Sequence, residues 1–271
     1  MQQGPIRRGA LENKVFAWAQ NRDVRAIRSG DLVKYLGFTK RQEEALLYHM
    51  GKTQRIAKIR RGLYLVPRNI PLGGKWKPSP LAVVPVLMRE LGTTAWQITG
   101  PVAFQRHGLS QQVPTRIDVY NDKLSARKTI LNQEYRFIKV HPRRLGYTVE
   151  FAVTEREGSY QILMSSAPRA VFDAIYDYDR FGVLPDAYEW IRSRVKDTQF
   201  MKAFVGIVLK LGNVAVRRRV GYVLDATQAG SRWTRPIRAT LRRSKGMLAL
   251  DPSRGRQGKS DKKWGIIVHA E

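Results

Sequence analysis

Three aspartates in one short segment, Asp173, Asp177 and Asp179, come nearest to the pattern of a catalytic metal site. Carboxylates are the ligands that Mg²⁺ prefers, and metal-dependent nucleases use such ions to activate water. A spacing of four residues, however, also places Asp173 and Asp177 on one face of an ordinary helix. The aromatic neighbours favour packing, so we predict no metal site in this segment.

The other residue types that could support catalysis lack suitable partners. Asp118, Glu134 and Lys139 suggest a restriction-type nuclease, but the usual Glu-x-Lys spacing is absent. His107 and His141 have no carboxylate at ligand spacing, and no phosphate-binding glycine loop or Gly-x-Ser-x-Gly motif occurs. We therefore predict no catalytic residue, no enzymatic activity, and no metal or other cofactor. A metal-dependent nuclease acting on DNA or RNA is the alternative.

Positive charge is the strongest feature of the chain. Its 271 residues include 49 lysines and arginines against 22 acidic residues, which gives a net charge of +27. Residues 1–80 and residues 201–271 each carry a net charge of +12, whereas residues 81–200 carry +3. Because hydrophobic residues make up 43% of the chain, it can fill a core, and we expect its two basic ends to bind nucleic acid.

The sequence also indicates a compartment. No stretch is apolar enough to span a membrane, and the first ten residues lack the apolar core of a signal peptide. The chain contains no cysteine, which excludes disulfides and thiolate zinc sites and is typical of a reducing environment. We predict a cytoplasmic protein with no membrane partner.

A proline-rich segment divides the chain. Four prolines and two glycines lie between Pro67 and Pro80. This composition excludes a helix or a central strand and predicts a stiff linker over residues 67–80. We accordingly predict two domains, residues 1–78 and residues 79–271.

The first domain has the pattern of three helices and a hairpin. Apolar residues at 11, 15, 16 and 19 have a helical period. Ser29 or Asp31 can cap a second helix over 32–36, and Thr39 with Gln42 has the capping-box spacing that begins a third helix. Two apolar runs around Gly62 predict a hairpin. This order is that of a winged helix-turn-helix domain, and the predicted fold class is α+β.

The third helix and the hairpin carry the predicted DNA contacts. We expect one face of the helix to be buried and the opposite face, with Arg41 and Tyr48, to be exposed. The helix would read base edges in the major groove, and the hairpin would hold phosphates or enter the minor groove. The predicted base readers are Lys40, Arg41, Gln42 and Tyr48, and the predicted phosphate or minor-groove contacts are Lys52, Arg55, Lys58, Arg60 and Arg61.

The residues after the linker predict a larger mixed α+β domain. Arg217, Arg218 and Arg219 fall within one helical turn, so we expect at least one of them to face outward. With the basic loop 251–263 they form either a second nucleic-acid contact or a solvated charge run. The predicted elements are helices over 96–109 with Thr99 as cap, 166–176, 197–211, 214–224 and 236–244, strands at 115–120, 135–140, 147–153 and 160–164, and a terminal hairpin of 247–250 with 264–268.

Several short motifs occur in a recognisable order along the chain. They are the hairpin that ends at Pro67, Thr99-Gly100-x-x-Ala103 leading to His107-Gly108-Leu109, Ile117-Asp-Val-Tyr120, Ala167-Pro-Arg-Ala170 with Phe172-Asp173, and Arg218-Arg-Val-Gly221. In this order the chain resembles the AbiEi-type antitoxins, transcriptional regulators of abortive-infection (type IV) toxin–antitoxin operons.

The resemblance implies a function for each end of the chain. The protein would bind inverted repeats in double-stranded DNA upstream of its own operon and repress transcription. Its C-terminal domain would counteract a nucleotidyltransferase-like toxin, either by direct contact or only functionally. The long basic loop 251–263 departs from the family pattern, and the resemblance assigns it no role.

Overall fold

The protein has a mixed α+β fold. A computed structural model describes residues 8–69, 74–145, 152–158, 160–241 and 246–269. Two compact units divide the chain: the first is drawn from residues up to Thr94, 127–135 and 155–162, and the second from 95–126, 136–154 and 163–271. The first unit therefore extends past residue 78 and includes two later segments. Among the described residues, no helix is long and apolar enough to cross a membrane.

In its described residues the first unit contains four α-helices and a three-stranded antiparallel sheet in the order β1-β3-β2. Its core is apolar and includes Val15, Phe16, Leu32, Leu46 and Met50. The three predicted helices and the hairpin are present, and the short strand β1 is an addition that the sequence did not predict. The elements are α1 (Arg8–Asn21), β1 (Ala26–Arg28), α2 (Asp31–Leu36), α3 (Lys40–Lys52), β2 (Ala57–Arg60), β3 (Leu63–Leu65) and, after a 3₁₀ turn, α4 (Val83–Glu90).

The N-termini of α2 and α3 are stabilised in different ways. At α3 the predicted capping box is confirmed, because Thr39 and Gln42 exchange side-chain and backbone hydrogen bonds. At α2 the predicted cap is wrong, since Gly30 occupies that position with φ +97° and no side-chain cap. Instead, the buried carboxylate of Glu43 accepts hydrogen bonds from the backbone N–H groups of Gly30 (2.7 Å) and Leu32 (2.8 Å). These bonds satisfy donors that a helix leaves free at its start.

A six-stranded sheet in the order β6-β7-β5-β4-β9-β8 is the largest sheet of the described residues. Strand β4 runs antiparallel to β5, with Thr99 opposite Asp118. It runs parallel to β9, with Ile98 opposite Met164. The strands are β4 (Trp96–Thr99), β5 (Arg116–Asn121), β6 (Ala126–Ile130), β7 (Gln133–Lys139), β8 (Ala152–Glu157) and β9 (Tyr160–Ser165).

Most of the helices in the described residues belong to the second unit, and three of these begin at side-chain caps. Ser166, Asp197 and Asn213 each accept a hydrogen bond from a backbone N–H in the first turn that follows. The helices are α5 (Pro101–Arg106), α6 (Pro142–Leu145), α7 (Ala167–Tyr176), α8 (Tyr178–Phe181), α9 (Leu184–Arg194), α10 (Thr198–Leu211), α11 (Val214–Ala226) and α12 (Ser231–Ala239).

The predicted helix over 96–109 is wrong in its first part. Trp96–Thr99 is the fully buried strand β4, and Gly100 rather than Thr99 precedes the helix. Gly100 has φ +65°, and a Cβ there would lie 2.6 Å from the Phe181 ring and 2.9 Å from a carboxylate oxygen of Asp118. Only glycine fits this sharp turn between strand and helix.

The C-terminal strands also differ from the prediction. The short strands β10 (Leu248–Ala249) and β12 (Ile266–Val268) are parallel, so they do not form the predicted hairpin. The antiparallel partner of β12 is β11 (Lys259–Asp261), which lies within the predicted loop 251–263. The basic loop is therefore partly a strand.

Three predicted features lie partly outside the described residues: the linker over 67–80, the strand over 147–153 and the helix over 236–244.

Candidate nucleic-acid interface

The exposed face of α3 is the clearest cationic surface of the first unit. Lys40, Arg41 and Lys52 are exposed, and Tyr48 between them is 69% exposed. The opposite face carries the buried Leu46, Leu47 and Met50 together with Glu43. A buried stripe fixes the orientation of a helix, and the cations and Tyr48 are consequently held toward solvent.

Gln42, which the sequence predicted to contact a base, also has a structural role. Its side-chain oxygen accepts a hydrogen bond from the backbone N–H of Thr39 at 2.8 Å. A bidentate contact with adenine needs both the oxygen and the nitrogen of the amide. While the capping box is formed, the oxygen of Gln42 is already bound to the backbone of Thr39, which limits the orientations that the amide can take toward a base.

The hairpin of β2 and β3 is held at its turn. The carbonyl of Gly62, which has φ +75°, accepts a hydrogen bond of 2.9 Å from the backbone N–H of Ser29. Lys58 and Arg61 are exposed, and neither forms an ion pair with another described residue. These two cations are free to contact phosphates.

Two other arginines of the predicted interface already contact carboxylates. Arg60 lies 3.2 Å from Glu90, and Arg28 donates to the same carboxylate at 2.6 Å. The hydrogen bond with Glu90 is the main cause that raises the pKa of Arg28 above its usual value. Arg55 lies 2.8 Å from Glu12. Arg55 and Arg60 therefore already have carboxylate partners that would compete with phosphate.

The prediction for Arg218 and Arg219 requires a correction. They are 4% and 5% exposed. Arg218 donates to the carbonyl of Gly246 at 2.7 Å, and Arg219 donates to that of Ala249 at 3.3 Å. Arg217 is half-buried and donates to the carbonyl of Leu209 at 2.8 Å. These arginines therefore donate hydrogen bonds to carbonyls of their own unit, whereas the sequence predicted that they would donate to phosphates.

The carboxylates considered for a metal site face arginines. Asp173 is fully buried and accepts hydrogen bonds from Arg169 (2.9 Å) and Arg144 (3.4 Å), and also from Thr99 (3.0 Å). Asp177 accepts from Arg144 at 2.9 Å. Each of these carboxylates has a cationic partner, which is the opposite of the like-charged cluster that attracts a metal ion.

Asp118 belongs to a second buried ion pair. Its two oxygens accept from Nη2 and Nε of Arg136 at 2.7 and 2.9 Å, and the carboxylate is fully buried. Glu134 and Lys139, by contrast, are exposed residues of β7. The three residues that suggested a restriction-type nuclease therefore do not form one cluster.

The two histidines have packing and turn roles. His107 Nε2 lies 2.7 Å from the carbonyl oxygen of Ser165, and His141 Nδ1 accepts from the backbone N–H of Arg143 at 3.2 Å. Among the described residues, no group of three or more histidine, aspartate or glutamate side chains is arranged to hold a metal ion.

Tyr120 connects the strand motif to this buried network. Its hydroxyl donates to Asp177, and the guanidinium of Arg144 lies 4.7 Å from the centre of its ring. Burial, followed by the negative charge of Asp173, raises the pKa of Tyr120 well above its usual value. The phenol stays protonated and keeps its hydrogen bond.

The sequence did not predict that the motifs of the middle region meet at this network. Thr99, Tyr120 and the pair Arg169 and Asp173 come from three separate segments, yet all of them lie in it. The i,i+4 spacing of Arg169 and Asp173 was the one local signal of an ion pair. Arg28 and Glu90 were also missed, because they are 62 residues apart.

The fold and the exposed basic helix together define the chain as a mixed α+β protein with a cationic surface. A solved structure with a similar fold is the crystal structure of the RV2827C protein from Mycobacterium tuberculosis. The TM-score is 0.63 at 12% sequence identity, over 96% of this chain and 91% of that chain. This likeness shows the fold alone. No protein-family model matches the chain, and no curated protein does.

Proposed function

We propose that the protein is a DNA-binding antitoxin that represses its own operon. The order of elements in the first unit supports a winged helix-turn-helix domain: α1, α2 and α3 are followed by the β2–β3 hairpin, with β1 as a third strand. In such domains the third helix enters the major groove and the hairpin lies beside it.

The observation that carries the proposal is the exposed face of α3. Lys40, Arg41, Tyr48 and Lys52 lie on one solvent-facing surface of a helix whose other face is buried. Arg41 follows the capped N-terminus, the part of a recognition helix that reaches base edges. We assign Arg41 and Tyr48 to the bases and Lys52, Lys58 and Arg61 to the phosphates.

The antitoxin activity is proposed from the family resemblance, and the second unit would carry it. The motif residues Thr99, Tyr120 and Asp173 belong to one buried network, which suggests that they maintain the shape of this unit. The partner would be a nucleotidyltransferase-like toxin of the same operon.

The test is a titration of the full chain with DNA from upstream of its own operon. Arg41→Ala should weaken binding to this site, and Arg127→Ala, which removes an exposed arginine of β6, should not. Growth rescue of cells that express the neighbouring toxin tests the second activity, and Arg41→Ala should leave rescue intact. Unchanged operator binding by Arg41→Ala would contradict the assigned interface. Magnesium-dependent cleavage of DNA or RNA would favour the nuclease alternative.

A further inference from the structure

The C-terminal excess of positive charge is exposed on α12 rather than on the arginine triplet of α11. Arg232, Arg235 and Arg238 follow one another at three-residue spacing along α12, and all three are exposed. Side chains three residues apart are neighbours on a helix surface. The helix therefore presents a row of guanidinium groups to solvent.

Part of this row lines a cleft within the second unit. Arg235, Arg238 and Lys263 border a cleft of about 850 Å³, and among the described residues that line it Asp225 is the one carboxylate. Lys263 donates to Asp225 at 2.7 Å, so that carboxylate already has a cationic partner. Neither Arg235 nor Arg238 forms an ion pair with any residue that the structure describes.

The remaining lining residues indicate what kind of anion fits. Gln228, Ser231 and Thr234 supply uncharged hydrogen-bond donors, and none of the lining residues that the structure describes is aromatic. Guanidinium, hydroxyl and amide groups bind phosphate oxygens without regard to base sequence, whereas reading unpaired bases relies on aromatic stacking. The composition of the cleft therefore suits a sugar–phosphate backbone.

We propose that the α12 cleft is a second nucleic-acid surface, which binds phosphates through Arg235 and Arg238 without sequence preference. This surface is additional to the operator contact proposed for α3. Because Arg218 and Arg219 are buried, the C-terminal nucleic-acid contact is assigned to α12 and not to the predicted arginine triplet of α11. Lys263 borders the cleft, and Arg256, Lys259 and Lys262 of the same basic segment are exposed.

The experiment is a salt titration with the full chain. Binding to a labelled DNA duplex of arbitrary sequence is measured over a range of salt concentrations for the wild type and for R235A/R238A. Each phosphate contact contributes about 0.9 to the slope of log K against log salt, so the variant slope should be shallower by about 2 units. R235K/R238K keeps both charges and should stay close to the wild-type slope.

A matched control removes two exposed cations elsewhere in the second unit. K196A/K202A changes the net charge by the same amount and should leave the slope close to the wild-type value. Equal slopes for the wild type and R235A/R238A would overturn the proposal, and so would an equal loss in the control. Single-stranded RNA serves as a second probe: an effect on both probes identifies the shared backbone, and an effect on one assigns the cleft to that nucleic acid.

The same titrations separate this inference from the proposed operator binding. Arg41→Ala should weaken binding to the operator by a larger factor than binding to the duplex of arbitrary sequence. R235A/R238A should lose a similar factor on both. If R235A/R238A binds DNA with the wild-type salt slope while Arg41→Ala binds the operator more weakly, the proposal for the α12 cleft is contradicted. The proposed operator contact of α3 is then still supported.

Discussion

The clustered basic residues of α3 and those of α11 are used in opposite ways. On α3 the cations Lys40, Arg41 and Lys52 are exposed. On α11, Arg218 and Arg219 are buried and donate to backbone carbonyls of the same unit. A run of basic residues in a sequence therefore gives the charge of a segment but not the surface on which that charge appears.

The difference arises from what covers each helix. In α3, apolar residues recur at helical spacing, and the cations occupy the opposite face. In α11, the C-terminal residues pack directly on the helix, and a Cβ at Gly221 would lie 2.1 Å from a ring carbon of Trp264. A buried guanidinium is tolerated only when acceptors satisfy it, and the carbonyls of Gly246 and Ala249 supply them.

The largest expected effect tests the buried charges of the second unit. Asp173→Ala should lower the free energy of unfolding by about 3–5 kcal/mol, because it leaves Arg169 buried without its carboxylate. Urea unfolding followed by circular dichroism measures the change. Asp179→Ala, at an exposed position of α8, is the control and should leave the midpoint near the wild-type value. Equal midpoints for both variants would show that the network is not structural.

Arg218→Ala tests the buried side of the comparison. The substitution removes a buried side chain and its hydrogen bond to the carbonyl of Gly246, and a hydrogen bond from a charged group contributes about 1.5–3 kcal/mol. We expect a lower unfolding midpoint and an unchanged salt slope for DNA binding by the folded protein. A shallower salt slope together with an unchanged unfolding midpoint would indicate that Arg218 contacts nucleic acid.

Arg41→Ala is the same substitution on the exposed helix, and its effects should be reversed. Loss of a bidentate base contact should weaken operator binding by about 1–3 kcal/mol and relax discrimination at one base pair. The unfolding midpoint should not change, because Arg41 is exposed. Parallel titrations and melts of Arg41→Ala and Arg218→Ala make each variant the control of the other. A lower unfolding midpoint for Arg41→Ala would show that Arg41 has a structural role and would contradict the contrast between α3 and α11.

The smallest expected effect concerns the two arginines on Glu90. Glu90→Gln should free Arg28 and Arg60, raise affinity for any duplex and steepen the salt slope by about 1–2 units. Glu189→Gln removes the same charge from an exposed pair with Arg192 on α9 and is the matched control. Weaker binding by Glu90→Gln would contradict competition between Glu90 and phosphate.

The sequence predicted the first eighty residues more closely than the rest. Three helices, the capping box of Thr39 and Gln42, and the turn at Gly62 all follow from contacts within a few residues of one another. The exposed face of α3 followed from the spacing of its apolar residues. Periodicity and backbone sterics are local properties, and a sequence displays them directly.

The errors share a different origin. Trp96–Thr99 forms a buried strand because β5 and β9 flank it, and no neighbouring residue indicates those partners. Strands β10 and β12 are parallel rather than a hairpin, since β11 takes the antiparallel edge. Pairing between distant strands depends on the whole fold.

Composition and local residue spacing account for the charge of the protein, its local helices and the face that α3 turns to solvent. Which cations are available depends on tertiary contacts, which pair Arg60 with Glu90 and bury Arg218 and Arg219 against carbonyls. Burial of a charge requires acceptors brought from elsewhere in the chain, and Gly246 lies 28 residues from Arg218.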